Sequence, residues 1–281
     1  MGGLCRGGGM ITDAAAAALS AIASRTPQVF VYVAGVRGVP GVELGLTLRY
    51  ETDDRLFGTL GSPALDGAVA RDAADALRTG EPITHTYAAD GSPASRRAAA
   101  YVKVFFDPIV PTPRLVIAGA GHIAQPLALC ADLLEFETWV VDDRADYANR
   151  ERFPTADRVV VDPMHEFFSE LRVDPATYVV LVTRAHRYDE ESLRQLLDTP
   201  APYIGMIGSR RRVHIVHQTL LAEGISPDKF RRVYAPIGLD IGSRTPAEIA
   251  LAIMAEIVNL RRGGRASHLS LEMFRTEGDT A

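Results

Sequence analysis

Residues 115–124 read LVIAGAGHIA, a short apolar strand that leads directly into Gly-x-Gly-x-x-Ala and then into a helix. In this order Gly119 makes the tight turn, Gly121 lets the backbone approach a pyrophosphate, and Ala124 lets the helix pack closely on the strand. Phosphates then lie at the helix N-terminus, where unpaired N–H groups and the helix dipole favour anions. The stretch predicts a dinucleotide site. The residues of the turn that we assign to the ligand are Gly119, Gly121, His122 and Ile123.

A second apolar strand ends in acidic residues at the spacing expected of a ribose-binding carboxylate. Residues 138–141 read TWVV and are followed by Asp142, Asp143 and Arg144, all three of which we include in the site. Asp142 lies about twenty residues after the glycine turn, where a carboxylate accepts the ribose hydroxyls. The predicted preference is for a free ribose hydroxyl over a 2′-phosphate, with Arg144 acting against it. The alternative is a doubly wound domain whose glycine loop binds no ligand.

The composition limits the classes of function. The chain has 281 residues, of which 47% are hydrophobic, enough for two cores because domains usually hold about 100 to 200 residues. The net charge of -5 gives no support to nucleic-acid binding or to association with anionic membranes. Two isolated cysteines, Cys5 and Cys130, indicate a reducing compartment without a disulfide framework or a cysteine metal cage. Since no apolar run approaches the ~20 residues of a membrane span, we expect a cytoplasmic protein.

Changes in pattern along the chain predict its domains. Residues 1–10 are glycine-rich and are predicted to be a disordered tail, and residues 11–110 to form a small α+β domain. The run 107–113 contains three prolines, each of which removes a backbone donor and interrupts regular structure, so we place the boundary there. Strands and helices alternate over 113–264, which predicts a Rossmann-like doubly wound parallel sheet and an α/β fold class, with a second tail at 265–281. The strands are expected at 115–118, 138–141, 158–161, 178–182, 202–205 and 232–235.

Local signals place the remaining elements. In the first domain we expect a helix at 11–24, strands at 28–34, 43–50, 55–60, 83–87 and 100–106, and a helix at 62–78. Ser62 is the predicted N-cap of that second helix, with Pro63 at its first position and Gly80 at its end. At the other end of the chain, residues 245–248 read TPAE, a capping box that opens the last helix, and Gly263 closes it.

The loops that follow the later strands carry the remaining candidate residues, because the ligand crevice of an open parallel sheet lies beyond the carboxyl ends of its strands. Arginine forks match phosphate geometry, so the loop after the fifth strand is predicted to bind an anion, the alternative being a solvated basic helix start. His122 and His186 are as consistent with ordinary hydrogen bonding as with catalysis. The candidates in these loops are Thr183, His186, Gly208, Ser209, Arg210, Arg211, Gly238 and Asp240.

Other reactive residue types have structural interpretations. His214 and His217 lie three apart on one predicted helix, but nothing else there resembles a zinc site. Cys130 follows the glycine turn within a helix and is expected to be a small buried hydrophobe. We therefore predict no metal site and name no catalytic residue.

Four motifs in their order resemble the XdhC/CoxI family. Residues 117–124, 140–144, 203–211 and 236–242 read IAGAGHIA, VVDDR, YIGMIGSRR and PIGLDIG. The resemblance is strong over 113–264 and weaker over 28–110. It implies an accessory protein of xanthine dehydrogenase and related molybdenum hydroxylases, which binds molybdenum cofactor, protects it while a cysteine desulfurase sulfurates it, and delivers it to the apo-hydroxylase.

The chain departs from the family pattern at its cysteines. The family usually has a cysteine in a glycine-rich turn after the second hairpin strand, where this chain has Ala64, and a second cysteine-glycine motif in the region that here reads RRAAA at 96–100. A soft thiolate is the natural ligand or carrier for a molybdenum–sulfur centre. The departure puts sulfur handling in doubt.

The function expected from the sequence is an XdhC-like accessory factor that acts as a chaperone more than as a catalyst. Its ligand is molybdenum cofactor, as molybdopterin or its dinucleotide form, or an NAD-type dinucleotide. Its partners are an apo-molybdenum hydroxylase and, by the resemblance, a cysteine desulfurase, with a homodimer left open. Two rivals remain: a nucleotide or redox sensor without molybdenum function, and an NAD-dependent oxidoreductase with His186 or Tyr188 as proton donor.

Overall fold

The chain divides into two units, Met1–Pro111 and Thr112–Ala281, and the division falls inside the proline-rich run 107–113. The computed structural model describes residues 8–52 and 54–267. The first helix begins at Gly8, inside the predicted tail at 1–10, and residues 1–7 lie outside the described part. Of the second predicted tail, residues 265–267 have no regular structure and 268–281 are not described.

The first unit is an antiparallel sheet with helices packed against it. The five strands lie in the order β3-β2-β1-β5-β4. Alternate residues of β1, such as Val29 and Val31, face a core shared with α2, because side chains alternate across a strand. The elements are α1 (Gly8–Ser24), β1 (Gln28–Arg37), β2 (Thr47–Glu51), β3 (Arg55–Gly58), α2 (Pro63–Thr79), β4 (Ile83–Tyr87) and β5 (Tyr101–Ile109).

The start of α2 has the predicted N-cap residue and proline. Ser62 occupies the N-cap position, but its side chain makes no capping hydrogen bond. Asp66 in the first turn ties the preceding segment to the helix by accepting hydrogen bonds from the Leu60 N–H at 2.8 Å and the Thr59 hydroxyl at 2.7 Å. A carboxylate near a helix N-terminus also interacts favourably with the helix dipole. The predicted end at Gly80 is confirmed, with φ 69° in the left-handed region.

The second unit is the Rossmann-like doubly wound sheet that the alternating pattern predicts. Its six strands are all parallel, in the order β11-β10-β9-β6-β7-β8. The elements are β6 (Arg114–Ala118), α3 (Ala124–Leu133), β7 (Glu137–Asp142), β8 (Arg158–Val161), α4 (Met164–Glu170), β9 (Thr177–Leu181), α5 (His186–Leu196), β10 (Tyr203–Met206), α6 (Arg210–Ala222), α7 (Pro227–Phe230), β11 (Val233–Tyr234) and α8 (Pro246–Arg262).

Two hydrophobic cores cover the two faces of this sheet. Leu115 and Ile117 of β6 pack with α3 and α8, whereas Val116 and Ala118 pack with α4, α5 and α6. Burial on both faces explains why β6 reads as an uninterrupted apolar run. The chain order reverses at β6, which lies between β7 and β9, so the carboxyl ends of these three strands form the crevice where such sheets bind ligands.

The last helix begins and ends as predicted. Thr245 and Glu248 form the capping box, with the Thr245 N–H donating to Glu248 Oε2 at 2.9 Å, and Gly263 closes α8 in the left-handed region. Within the described residues, none of the helices combines the length and the apolar character needed to cross a membrane.

Candidate functional site

The two glycines of the turn after β6 have different structural roles. Gly119 has φ +105°, and a Cβ there would lie 2.6 Å from the carbonyl oxygen of Val182, so the fold itself requires glycine. Gly121 has an ordinary φ, and a Cβ there would meet nothing within 4 Å. Since no protein atom of the described structure requires glycine at 121, the open space in front of it is available to a ligand.

The beginning of α3 leaves backbone donors at this open space. Ile123 occupies the N-cap position and has no side-chain oxygen to cap the helix. Ala124 is fully buried against the sheet, as the third position of the glycine pattern requires. His122 is exposed.

Asp142 at the end of β7 is buried and bound by protein donors. Its Oδ2 accepts the Ala120 N–H at 2.8 Å and Arg144 Nη2 at 3.0 Å, and its Oδ1 accepts Arg144 Nε at 2.8 Å and the Arg144 N–H at 3.1 Å. Burial raises the pKa of Asp142, but the hydrogen bonds from Arg144 and Ala120 outweigh it and hold the pKa below its usual range. Asp142 therefore stays ionised and ties the end of β7 to the glycine turn.

A second cluster bridges the ends of β7 and β9. Arg184 Nη2 donates to Asp143 Oδ2 at 2.8 Å, and the Tyr188 hydroxyl donates to the same oxygen at 3.1 Å. Arg184 and Arg187 also lie over the Tyr188 ring, 4.9 and 4.6 Å from its centroid. A small pocket opens here. It is lined by Gly119, Asp142, Asp143, Met164, Thr183, Arg184 and Tyr188.

A third network lies beneath the end of β9, around the fully buried Asp189. The Thr183 hydroxyl donates to Asp189 Oδ1 at 2.6 Å, and Arg212 Nε donates to Asp189 Oδ2 at 2.8 Å. Burial raises the pKa of Asp189 to about 6 despite the opposing effects of Thr183 and Arg212. Sequence reasoning assigned no role to Asp189 or Arg212. Arginines occupy positions 210 to 212 in succession, and this pattern alone does not show that only Arg212 contacts Asp189.

The loop after β10 presents the other two arginines to solvent. The Ser209 hydroxyl caps α6 by accepting the Arg212 N–H at 3.3 Å, and Gly208 packs against the Arg212 side chain. Arg210 and Arg211 are exposed at the first positions of α6. Cations at the N-terminus of a helix oppose the helix dipole. Stabilisation of α6 therefore does not explain why two arginines stand there.

We expect the double change Arg210→Ala, Arg211→Ala to weaken nucleotide binding and to flatten its salt dependence. Each charge-assisted contact to phosphate contributes about 1.5–3 kcal/mol. Calorimetric titrations at two salt concentrations measure both effects. Unchanged affinity and an unchanged salt dependence would show that these arginines form a solvated basic helix start and do not bind the ligand.

The loop after β11 is held by α8. The Gly238 N–H donates to Glu256 Oε2 at 3.0 Å, and the Tyr203 hydroxyl donates to the same oxygen at 2.5 Å. Gly238 has φ +94°, and a Cβ there would lie 3.3 Å from Ala252. The structure therefore accounts for this glycine by packing, although the sequence placed it in the ligand set. Asp240 of the same loop is exposed.

His186, His217 and Cys130 lie on three different helices, α5, α6 and α3. His186 is exposed at the start of α5, and the His217 ring lies on Phe230 with centroids 4.4 Å apart. Cys130 is half-buried on α3, and burial raises the pKa of its thiol. Over residues 8–52 and 54–267, no three His, Cys, Asp or Glu side chains group together in a way that could hold a metal ion.

Comparison with known families assigns both units. A family model described as the XdhC Rossmann domain matches residues 115–257, and one described as the XdhC and CoxI family matches residues 21–88. The chain belongs to the XdhC/CoxI family. The resemblance drawn from the four motifs is thereby confirmed.

Relatives extend this assignment. Uncharacterized protein YqeB of Escherichia coli K12 is 30% identical over 242 residues, 82% of this chain and 44% of its own length. A probable xanthine dehydrogenase subunit of Bacillus subtilis 168 is 33% identical over 159 residues, 57% of this chain and 46% of its own length. The chain thus spans about half the length of the curated relatives it matches.

A solved structure supports the fold. The crystal structure of a xanthine dehydrogenase from Bacillus halodurans is 21% identical, with a TM-score of 0.50, and the match covers 92% of this chain and 99% of that one. At this identity the likeness concerns the fold and not the activity.

Proposed function

We propose that this XdhC family member is an accessory factor that binds a phosphate-containing nucleotide or pterin ligand and assists maturation of a molybdenum hydroxylase. The observation that carries the proposal is the open space at Gly121, at the N-terminus of α3 in the domain matched by the XdhC Rossmann model. The Bacillus subtilis relative, by its name a probable xanthine dehydrogenase component, supports the hydroxylase class. The apo-hydroxylase is the proposed partner, with a cysteine desulfurase second, and the cytoplasm is the proposed location.

The chemistry of the site fits the phosphate part of such a ligand. Backbone donors at a helix start, together with nearby guanidinium groups, suit a pyrophosphate, as in a dinucleotide or the dinucleotide form of molybdopterin. Direct molybdenum coordination by this chain fits poorly. Cys130 is the cysteine among the described residues, and a thiol with a raised pKa is a weak ligand. We therefore propose that the described residues hold the phosphates and do not coordinate the metal.

The proposal is tested on native protein and in reconstitution. We expect purified protein to carry a nucleotide or a pterin, detected by chromatography and by fluorescence after oxidation. We also expect it to raise the activity recovered when an apo-hydroxylase is reconstituted with molybdenum cofactor. Protein free of both ligands that leaves reconstitution unchanged would contradict the accessory role.

One observation favours the sensor as a second candidate function. No cysteine stands between residues 11 and 110, where the family usually carries its thiols. Nicotinamide nucleotide bound without pterin, together with no effect on reconstitution, is the result expected of a sensor.

We predict that the cysteines are dispensable. A Cys5→Ser, Cys130→Ala double variant should keep ligand binding and maturation activity, because the Cys130 thiol packs on a helix and its raised pKa disfavours the thiolate. The stability loss should be small, within about 1 kcal/mol. Loss of cofactor delivery by the folded double variant would show that one thiol is functional.

A further inference from the structure

The carboxylate of Asp142 has no acceptor position left for a ribose hydroxyl. An ionised carboxylate offers about four acceptor positions. Within the described structure four N–H donors occupy them: one from Ala120 and three from Arg144. The residue is 3% exposed. A ribose diol could reach Asp142 only by displacing one of these donors, so the usual reason for preferring a free 2′-hydroxyl is absent here.

Arg144 keeps donors that a ligand could use. A guanidinium has five N–H donors, and the contacts with Asp142 use Nε and one on Nη2, which leaves about three. The side chain is 32% exposed, and its guanidinium carbon lies 3.7 Å from the centroid of the Tyr147 ring. Held by Asp142 on its edge and by Tyr147 on its face, Arg144 presents a positioned cation at the end of β7.

The carboxylates beside the pocket are paired with arginines. Arg184 and Arg187 both donate to the Tyr188 hydroxyl, Arg184 also donates to Asp143, and Arg187 interacts with Glu191 and Asp143. Arg144 compensates Asp142 and Arg184 compensates Asp143, so each carboxylate that lines the pocket is paired with a guanidinium group. A dianionic phosphate gains charge-assisted contacts in such surroundings, whereas a neutral hydroxyl does not.

We infer that Arg144 determines the specificity of this site and selects a nucleotide that carries a phosphate on the ribose bound at the end of β7. The inference rests on the proposed nucleotide site and names the ligand class within it. It reverses the expectation drawn from the sequence, in which Asp142 repels that phosphate. An arginine placed beside the β7 end is how such sheets accommodate a 2′-phosphate.

The test compares two pairs of probes that differ only in this phosphate. The full-length chain is titrated calorimetrically with NADP⁺ and NAD⁺, and with adenosine 2′,5′-bisphosphate and 5′-AMP, at constant ionic strength. We expect the 2′-phosphorylated member of each pair to bind at least about tenfold more tightly. Equal affinities, or tighter binding of NAD⁺, would overturn the inference while leaving the nucleotide site in place. Binding of none of the four probes would overturn the dinucleotide site itself.

The role of Arg144 is separated from a general charge effect by matched variants. Arg144→Ala frees the acceptors of Asp142, so the preference should fall at least about tenfold and shift toward NAD⁺. Arg231 forms an ion pair with Asp228 at the surface, and its side chain is 81% exposed. Arg231→Ala therefore removes the same charge and should leave the preference for the 2′-phosphorylated probes unchanged. An unchanged preference in a folded Arg144→Ala protein would remove Arg144 from the role. The wild-type comparison decides the inference even where that variant does not fold.

Discussion

Replacing Gly121 by alanine should weaken nucleotide binding strongly and leave the protein folded. The added Cβ meets no protein atom of the described structure within 4 Å and sits on a residue of ordinary φ. It does intrude on the space through which a pyrophosphate must approach the backbone. We expect affinity for the better of NADP⁺ and NAD⁺ to fall at least about a hundredfold, roughly 2.8 kcal/mol, in calorimetric titrations, with an unchanged melting temperature.

Gly119→Ala is the matched control, because we expect it to lower the stability of the fold, whereas Gly121→Ala lowers ligand affinity. Its φ of +105° and the Val182 carbonyl 2.6 Å from the new Cβ put strain into the fold. The expected loss of stability is about 1–3 kcal/mol by denaturant unfolding. Normal nucleotide affinity in a folded Gly121→Ala protein would place the ligand elsewhere than at the glycine turn.

Removing the Arg212 side chain should be among the most destabilising single changes in the second unit. Asp189 is fully buried, and Arg212 is the cation that compensates it. Breaking a buried ion pair from one side leaves the other charge uncompensated, which costs about 3–5 kcal/mol. We expect Arg212→Ala to lose that amount in urea unfolding at pH 7.5. Arg211→Ala, an exposed neighbour on the same helix, should stay within about 0.5 kcal/mol of wild type.

The pH dependence of this loss follows from the pKa of Asp189. Burial raises that pKa to about 6 from a usual value near 3.8. The folded protein therefore binds more protons than the unfolded chain between these values, and this carboxyl's contribution to stability is lost as pH rises through that window. Arg212 stabilises only the ionised carboxylate, so Arg212→Ala should cost less at pH 5 than at pH 7.5. An equal cost at both values would show that Asp189 is ionised throughout.

Local patterns were sufficient to predict the second unit. The uninterrupted apolar run of β6, the glycine turn and the alternation of strands and helices predict a parallel sheet, because burial on both faces requires apolar residues at successive positions. The capping box at Thr245 and the left-handed glycines at Gly80 and Gly263 are confirmed because helix ends are decided by neighbouring residues. Ser62 occupies the predicted N-cap position of α2, although its side chain makes no capping hydrogen bond.

The sequence by itself determined the fold class, the family and the end of the strands at which the candidate site is expected. Each of these depends on short motifs whose residues are close together along the chain. The tertiary structure decided which polar groups remain available there. Arg144 occupies Asp142, and Arg212 crosses 23 residues of sequence to reach Asp189, leaving Arg210 and Arg211 in solvent. The role of a carboxylate depends on which hydrogen-bond donors of the protein already occupy it. That depends on how separate loops are brought together at the end of the sheet, which spacing along the chain does not reveal.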